Sequence, residues 1–597
     1  MKKQEKAVVL ALLLGLTIVS IIGFYFVGEI KFNYSTFYVV QSANFEGHNF
    51  NVFKLVNKLL LNGFNVYLVT ETREDTDISL RLGDFLVPTL CDGNHPFATN
   101  VLDAYMGYLC KQLNVSVKRI ELNFGLKVLQ LNKPKVAVYY GEGTTGNAIE
   151  EIRVLEEAEF ELRLLNLSEI KNLETLDANV IIFPGGGPYR SYLNEGEISN
   201  IKRFISNGGG YVGICGGATF GAEIGLLNVK LMRGELYPQF PEYADFYGPV
   251  NLRISPNNAL TLGYGDFLEC MYFRGPFFGY VSADVEVAAF FDAPTDKTER
   301  YFPEIAKIYG FNPNTASINK CLNTPAVVFG NYGNGRVVLS SVHPEILKES
   351  RRFFINMIFF ALSRDATVSY FQPLSNKRTF QSKTYPSRNG FYLNLTSTFQ
   401  ETKDALRTLQ SLAEEISESL QVLTNINQKL IGITADYLNL FVNDISLRCN
   451  SVLIELEKLA TRYTILENIK ESLCKRAFTP ILEKKLLLEV IEITYQIEDI
   501  FISSAKSGAL NAVLMEKTRR EVFDIIEMLN NFSLTFKMGE APESERVVEL
   551  YLKETTVTNG IKRSIECSLL NISFKIKSVN TKLEFLREVL RVNSCLS

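Results

Sequence analysis

A cysteine set among glycines is the residue of this chain best placed to do chemistry. Cys215 lies in the segment Gly208–Ala218, where an apolar strand pattern runs into a turn that only small residues can make. A strand-to-helix corner of this kind lifts a nucleophile clear of a parallel sheet, and the dipole of the following helix favours a thiolate. Because a thiol attacks well only as the thiolate, this position predicts a reactive cysteine.

A histidine and a glutamate further along the chain have the types that an activated thiol needs. His343 is the only histidine of the same predicted domain, and it follows a strand of the same predicted sheet. Glu345 lies two residues beyond it and could orient the imidazole, as the third member of a catalytic triad does. We therefore predict Cys215 as the nucleophile, His343 as the base and Glu345 as its partner.

Backbone groups and a nearby aromatic-rich stretch could complete such a site. Gly186 and Gly187 follow a buried strand pattern and Gly216 follows the cysteine, so that their N–H groups could form an oxyanion hole. Tyr272 and Arg274 are predicted to line the substrate side. The alternative for this last pair is that both side chains only pack a loop.

Strand and helix patterns alternate around these residues. Buried-strand patterns at 136–140 and 179–183 each lead to a glycine-rich turn and then to a helix pattern, while Tyr332–Gly335 is a hairpin signal between two apolar runs. This order predicts an α/β fold with a doubly wound parallel sheet, in which ligands bind at the carboxyl ends of the strands. The turn Gly141–Gly146 could cradle a phosphate, but it lacks the Lys-Ser/Thr of a P-loop, and a plain strand-to-helix turn is favoured.

Residues 135–365 resemble a class I glutamine-amidotransferase-like domain, whose members carry a GxCxG elbow and a terminal HPE sequence. More narrowly, the motifs "FPGGGPY", "GGGYVGICGGA" and "YFRGPFF" are similar to the N-terminal domain of some biotin-protein ligases. The resemblance implies a flavodoxin-like or amidotransferase-like sheet and a thiol triad at Cys215, His343 and Glu345. Gly216 follows the cysteine, which argues against the peptidase branch, where histidine follows the nucleophile.

Two functions are compatible with these motifs. The leading hypothesis is a membrane-anchored cysteine hydrolase that cleaves an amide or related acyl bond of a small molecule or peptide, without a metal or cofactor. The alternative is a non-catalytic binding or scaffolding protein that uses the same fold together with a helical assembly module. The sequence contains no synthetase, ATP-binding or biotin-ligase segment, which supports the alternative.

Composition argues against several other classes of protein. The 597 residues carry 62 Lys and Arg against 66 Asp and Glu, so the chain has no basic footprint for nucleic acid. Only three histidines are present, and the nine cysteines include no CxxC pair, which argues against a metal site and against a disulfide framework. The length suggests roughly three to five domains.

The N-terminus is predicted to cross a membrane. Three lysines precede Ala7–Gly28, an uncharged run of 22 residues. At 1.5 Å per residue this run would span roughly 33 Å, enough for a bilayer core. Because no convincing cleavage site follows it, an uncleaved anchor is favoured over a removed signal peptide. The positive-inside rule then predicts a single-pass protein with a cytoplasmic N-terminus and extracytoplasmic domains.

These patterns divide the chain into five segments. The predicted boundaries are an anchor at 1–30, a small α/β unit at 36–132, the amidotransferase-like domain at 133–364, a polar linker at 365–394 and a helical bundle or coiled coil at 395–597. In the last segment leucine and isoleucine recur at spacings of three and four, which predicts long helices with a mostly buried apolar stripe. Such helices could form an oligomer or bind a protein partner.

Overall fold

The computed structural model describes most of the chain. The described residues are 31–33, 36–42, 50–74, 79–89, 99–122, 126–173, 176–232, 246–256, 258–295, 319, 321–369, 395–426, 432–474, 481–537 and 544–596. The anchor predicted at 7–28 lies outside them. Of the helices within these ranges, none is both long enough and apolar enough to span a bilayer.

Short strands and two helices make up the first unit, and valine, leucine and phenylalanine dominate their buried positions. In chain order the elements are β1 (Lys31–Asn33), β2 (Thr36–Val40), α1 (Asn51–Leu61), β3 (Tyr67–Val69), β4 (Arg73–Glu74), β5 (Ser79–Leu80), β6 (Phe85–Pro88), α2 (Thr99–Leu113), β7 (Val117–Glu121) and β8 (Leu126–Leu131). Strands β4 and β5 form a separate pair, and the other strands belong to one sheet.

The second unit is built on a larger sheet. Its elements are β9 (Lys135–Tyr139), α3 (Asn147–Glu157), β10 (Glu161–Leu165), α4 (Leu167–Ile170), β11 (Val180–Phe183), α5 (Glu195–Ser206), β12 (Gly210–Ile214), α6 (Gly216–Glu223), β13 (Val229–Leu231), β14 (Tyr247–Ile254), β15 (Phe267–Phe273), β16 (Phe278–Val281), β17 (Glu286–Pro294), β18 (Pro325–Tyr332), β19 (Gly335–Ser340) and α7 (Arg351–Leu362).

The larger sheet has nine strands in the order β10-β9-β11-β12-β19-β18-β17-β14-β15. The first five are parallel, and their order matches the 2-1-3-4-5 arrangement of flavodoxin-like folds. The last four pair antiparallel, beginning with the hairpin in which Tyr332 pairs with Gly335. The sheet is therefore mixed. The doubly wound parallel part is as predicted, and β14, β15 and β17 extend that sheet as antiparallel strands.

Alternate residues of the parallel strands face two different cores. Val180 and Ile182 of β11 belong to the core that includes α3 and α7, whereas Ile181 and Phe183 belong to the core that includes α4, α5 and α6. Successive side chains of a strand point to opposite faces, so a strand buried on both faces must be apolar throughout. All four residues of β11 are fully buried, and the rim at its carboxyl end lies between two helix layers.

The chain returns to the first sheet after the second unit. Strand β20 (Ser363–Ser369) pairs antiparallel with β8, and Ser363 lies opposite Leu131. The first sheet then has the order β1-β20-β8-β3-β6-β2-β7. The polar linker predicted from residue 365 is therefore wrong at its start, because 365–369 form a strand; the rest of that segment lies outside the described residues.

Four long helices follow, α8 (Leu395–Ile426), α9 (Gly432–Cys474), α10 (Ile481–Lys537) and α11 (Ser544–Leu596). Helices α8, α9 and α10 pack against one another, and α11 also packs against β10 and α2. The side-chain amide of Asn571 exchanges hydrogen bonds with the backbone of Leu164 at 2.7 and 3.1 Å, and Phe585 packs edge-on against Tyr105 at 4.9 Å between ring centroids. The helical region is thus docked on both α/β units.

Candidate active site

Cys215 occupies a strained corner between β12 and α6. Its backbone angles are φ 52° and ψ −107°, a conformation that residues other than glycine rarely adopt. The Cys215 N–H donates to the carbonyl of Ser340 at 2.7 Å, which ties the corner to the end of β19. Next to it Gly216 must lack a side chain, because a Cβ there would lie 1.8 Å from the Gly186 carbonyl oxygen. The corner is therefore held by its neighbours in a nucleophile-elbow conformation.

His343 and Glu345 lie on the turn that follows β19. The imidazole Nδ1 and the Glu345 Oε1 are 2.7 Å apart, and both side chains are fully buried. Opposite a carboxylate, Nδ1 carries the hydrogen, which leaves Nε2 to face the site. The His343 N–H donates to the carbonyl of Met271 at 2.8 Å, and the ring packs against Phe273 with 5.0 Å between centroids. Backbone and ring contacts thus set the orientation of the imidazole.

The charges around His343 favour its protonated form. Burial lowers the pKa of His343, but the charge of Glu345 and the interaction with Cys215 outweigh it, so the pKa lies well above its ordinary value. Within the described residues, the Nε2 atom has no partner of ordinary hydrogen-bond geometry. Phe273 links Cys215 to the His343–Glu345 pair, because its ring packs against His343 and its carbonyl oxygen lies 3.4 Å from Sγ of Cys215, so the three predicted residues lie in one place.

The Cys215 thiol is nearly closed off from solvent. The residue is 8% exposed, and Sγ lies 3.4 Å from the carbonyl oxygen of Phe273, to which the thiol can donate. Deprotonation by His343 would break that contact. In this structure the thiol therefore donates to a backbone carbonyl beside its candidate base.

Two of the three glycines predicted for an oxyanion hole remain candidates for it. Gly216 is the first residue of α6, where a backbone N–H has no acceptor within the helix. Gly186 lies against it, since the two backbones nearly touch. The prediction for Gly187 is wrong, because its N–H donates to the carbonyl of Gly143 at 2.9 Å and is not available to a substrate.

The structure separates the two residues predicted to line the substrate side. Tyr272 is fully buried, and its hydroxyl donates to the Gly275 carbonyl at 2.7 Å, so the loop-packing alternative is favoured for it. Arg274 is half-buried and has φ 55°, directly after the Phe273 carbonyl that meets the thiol. Arg274 thus stays near the site, although the structure shows no role for it.

A buried carboxyl group near the triad residues was not predicted. Glu151 of α3 is fully buried, and neither of its oxygens has a hydrogen-bond partner of ordinary geometry in the described part of the chain. Burial raises the pKa of Glu151 well above its ordinary value, and the Glu345 charge acts in the same direction. The available signal was its spacing, because Glu151 lies between Ala148 and Leu155 on the buried face of the helix.

The glycine turn before α3 binds a side chain of the chain itself. The guanidinium of Arg563, on α11, donates to the carbonyls of Gly141 and Thr144, each at 2.8 Å. This favours the plain turn over a phosphate cradle. Among the described residues, no cluster of histidine, cysteine and carboxylate side chains could hold a metal ion.

Comparison with known proteins finds one matching family model and several similar proteins. Residues 134–237 match the family model "Biotin-protein ligase, N terminal". The phosphoribosylformylglycinamidine synthase subunit PurQ of Koribacter versatilis (strain Ellin345) is 34% identical over 98 residues, 15% of this chain and 39% of the relative. PurQ of Salinibacter ruber (strain DSM 13855 / M31) is 39% identical over 66 residues, 10% and 28% of the two chains. A solved glutamine amidotransferase of Thermotoga maritima aligns over 37% of this chain and 81% of that one, at 15% identity and a TM-score of 0.24.

The family match lies within the site-bearing domain. The chain covers well under half of the length of both PurQ relatives. The family match begins at β9 and extends beyond β13, so it contains the elbow but ends before β19 and the turn that carries His343. The predicted resemblance to class I glutamine amidotransferases and to the biotin-protein ligase N-terminal domain is confirmed by the family match and the PurQ relatives.

Proposed function

We propose that the protein is a cysteine-dependent hydrolase of the amidotransferase type, which cleaves an amide or related acyl bond at Cys215. One observation supports the proposal: His343 is bonded to Glu345 at 2.7 Å and packs against Phe273, whose carbonyl oxygen lies 3.4 Å from the Cys215 thiol at its strained corner. A nucleophile, a base and an orienting carboxylate at one rim form the minimal set for acyl transfer. The similarity to PurQ supports the same class of reaction.

The reaction would proceed in two halves. His343 Nε2 accepts the thiol proton, and the thiolate adds to the carbonyl carbon of the amide. The N–H groups of Gly216 and Gly186 stabilise the resulting oxyanion. When the tetrahedral intermediate collapses, the imidazolium gives its proton to the leaving nitrogen, ammonia or an amine departs, and a thioester remains. Water, deprotonated by His343, then cleaves the thioester, which releases the acid and restores the thiol.

Glu345 has an electrostatic task in this scheme. A buried imidazolium would be costly in isolation, and the adjacent carboxylate compensates for that cost. The raised pKa of His343 reflects this compensation, since it persists although burial acts in the opposite direction. The same hydrogen bond keeps Nε2 directed at the thiol throughout the cycle.

Amide hydrolysis can be tested with glutamine as the first substrate, followed by a panel of primary amides and short peptide amides. Release of ammonia or amine is expected from the wild type, and Cys215→Ala and His343→Ala should each lower the rate by about 10³-fold or more. Cys110→Ala, a free cysteine on α2, is the matched control and should leave the rate unchanged. Equal rates in the wild type and Cys215→Ala would refute the proposal.

The non-catalytic alternative has a specific observation in its favour. The thiol is nearly buried, and His343 and Glu345 are fully buried, so a substrate can reach Cys215 only if the site opens. Site-specific alkylation by iodoacetamide, followed by peptide mass spectrometry, separates the two functions. A Cys215 that reacts faster than Cys110 supports the hydrolase. A Cys215 that stays unmodified in the folded protein favours a binding or scaffolding role.

We also propose that residues 7–28 anchor the protein in a membrane, with the N-terminus on the cytoplasmic side, and that the long helices engage a protein partner or a second copy of the chain. The 22-residue uncharged run supports the anchor. Loss of alkali-resistant membrane association on deletion of residues 1–30 is the expected result. Light scattering of the deletion variant would reveal any oligomer.

A further inference from the structure

Glu151 is a buried carboxyl group that the proposed reaction does not use. It lies one helical turn beyond Asn147, at the start of α3, on the face that the helix buries. An ideal Cβ at Gly185 would lie 2.6 Å from Cε1 of His343 and 3.6 Å from Nδ2 of Asn147, so the first turn of α3 lies against the imidazole. Arg351 contacts both the Glu150 carboxylate of α3 and the Glu345 carbonyl. The buried face of α3 that carries Glu151 therefore lies beside the His343–Glu345 pair, and after burial the Glu345 charge is the largest influence that raises the pKa of Glu151.

In the described part of the chain no lysine or arginine pairs with this carboxyl group, and the His343 imidazole, whose charge lowers the pKa of Glu151, is bonded to Glu345. The two nearby arginines are engaged elsewhere. Arg153 pairs with Glu150. Arg351 reaches Glu150 and Glu157 with its terminal nitrogens and donates from Nε to the Glu345 carbonyl. An ionised carboxylate without a partner is strongly disfavoured in an interior, and a second carboxylate beside it adds to the penalty.

The second carboxyl group has one unused oxygen. Glu345 Oε1 bonds His343 Nδ1, but Oε2 is buried and has no partner among the described residues. Two carboxyl groups that face each other in a closed site cannot both ionise, and they share one proton between them. Because Glu345 Oε1 is bonded to the imidazole whereas neither oxygen of Glu151 has a partner in the described part of the chain, the proton is best placed on Glu151.

We propose that Glu151 is a neutral carboxylic acid at neutral pH, and that its O–H donates a hydrogen bond to Glu345 and so fixes the orientation of the His343–Glu345 pair. A protonated carboxyl group has one donor, and Glu345 Oε2 is the buried acceptor that lacks one. Glu151 is thus a positioning residue, which acts on Cys215 only through the other two side chains. The positioning role rests on the proposed reaction, whereas the protonation of Glu151 can be measured without it.

Infrared spectroscopy tests the protonation directly. The difference spectrum between the wild type and Glu151→Gln at neutral pH should contain the carbonyl band of a protonated carboxylic acid, lost in the variant. Glu150→Gln is the matched control, since the Glu150 carboxylate accepts from Arg153 and should contribute only a carboxylate band. A carboxylate band for Glu151 overturns the proposal, and this readout does not depend on turnover.

The pH profile of Cys215 alkylation tests the positioning role. Glutamine keeps a donor in the place of the acid, so Glu151→Gln should retain the wild-type profile. Glu151→Leu removes the donor and should slow alkylation roughly ten- to a hundredfold, as expected for one lost hydrogen bond to a charged group. If both variants lose reactivity equally, or if neither does, the proposal is wrong.

A variant that fails to fold, or a failure of the proposed reaction, can be distinguished from a failure of this proposal. If Glu151→Leu does not fold, Glu151→Gln and the infrared band decide the question. The Gln variant should also become more stable relative to the wild type as pH rises above the ordinary glutamate pKa of about 4.3, because burial raises the pKa of Glu151. If the amides are not hydrolysed but the acid band is present, only the proposed function fails.

Discussion

Substituting Gly185 by alanine would place a methyl group against the imidazole of His343. An ideal Cβ at Gly185 lies 2.6 Å from Cε1 of the ring, whereas carbon atoms in contact sit roughly 3.5–4.0 Å apart. The backbone of Gly185 cannot easily withdraw, because its carbonyl accepts from the Thr145 N–H at 3.2 Å and from the Thr145 hydroxyl at 2.9 Å. The imidazole must therefore move by about 1 Å.

A displacement of this size removes the contact that orients the base. The Nδ1–Oε1 distance is 2.7 Å, and an extra ~1 Å takes it beyond the hydrogen-bond range. A hydrogen bond to a charged group contributes about 1.5–3 kcal/mol, and overpacking a buried site costs about 1–3 kcal/mol. We expect Gly185→Ala to lose about 2–5 kcal/mol of unfolding free energy and to slow Cys215 alkylation up to ~10²-fold.

Urea unfolding and site-specific alkylation measure the two effects. Gly146→Ala is the matched control, because it adds the same methyl group to the neighbouring turn and its Cβ meets no atom within 4 Å. The control should keep the wild-type alkylation rate. A Gly185→Ala protein as stable and as reactive as the wild type would show that His343 does not pack against this turn, and the site geometry would have to be abandoned.

Three further substitutions probe separate parts of the site. Glu345→Gln removes the charge that raises the pKa of His343 against burial. The wild type should therefore be more stable than this variant below about pH 6.5, the ordinary histidine pKa, and should lose that advantage as pH rises through the raised pKa. Urea unfolding at several pH values measures the difference. An advantage that grows with pH would contradict this. Arg563→Ala removes two hydrogen bonds from α11 to the glycine turn. The variant should lose about 1–3 kcal/mol of unfolding free energy and exchange its amide hydrogens faster at 141–146. Arg591, whose guanidinium bonds Glu588 on the same helix, provides the control, and Arg591→Ala should leave that exchange unchanged. Tyr272→Phe should lose about 1–2 kcal/mol of stability with an unchanged KM, whereas a raised KM would restore Tyr272 to the substrate side.

Short sequence patterns predicted those strands and turns whose conformation depends on neighbouring residues of the chain. The buried run Val180–Phe183, the small residues around Cys215 and the Tyr332–Gly335 hairpin each contain their own reason for a strand, a corner or a turn. The order of these segments along the chain then places Cys215 and His343 on one rim, because parallel strands share their carboxyl ends. The candidate site was predictable for the same reason.

Features that depend on distant pairing were missed. Strand β20 has a polar sequence and finds its partner β8 only after the whole second unit has intervened. The N–H of Gly187 looked available until the Gly143 carbonyl approached from another turn. Glu151 was not predicted as a site residue, because only the three-dimensional structure shows it fully buried on the same side of the sheet as the buried Glu345.

The site-bearing domain is inserted between two neighbouring strands of the first sheet, at the point where Leu131 pairs with Ser363. The chain leaves the first sheet at β8 and re-enters it at β20 on the neighbouring strand, and the Asn132 N–H donates to the Leu362 carbonyl at 3.1 Å. Both ends of the intervening segment therefore meet at one point, as the ends of a hairpin loop do. A domain joined in this way can be gained, lost or exchanged in evolution by a single splice, with the host sheet closed again by a short turn.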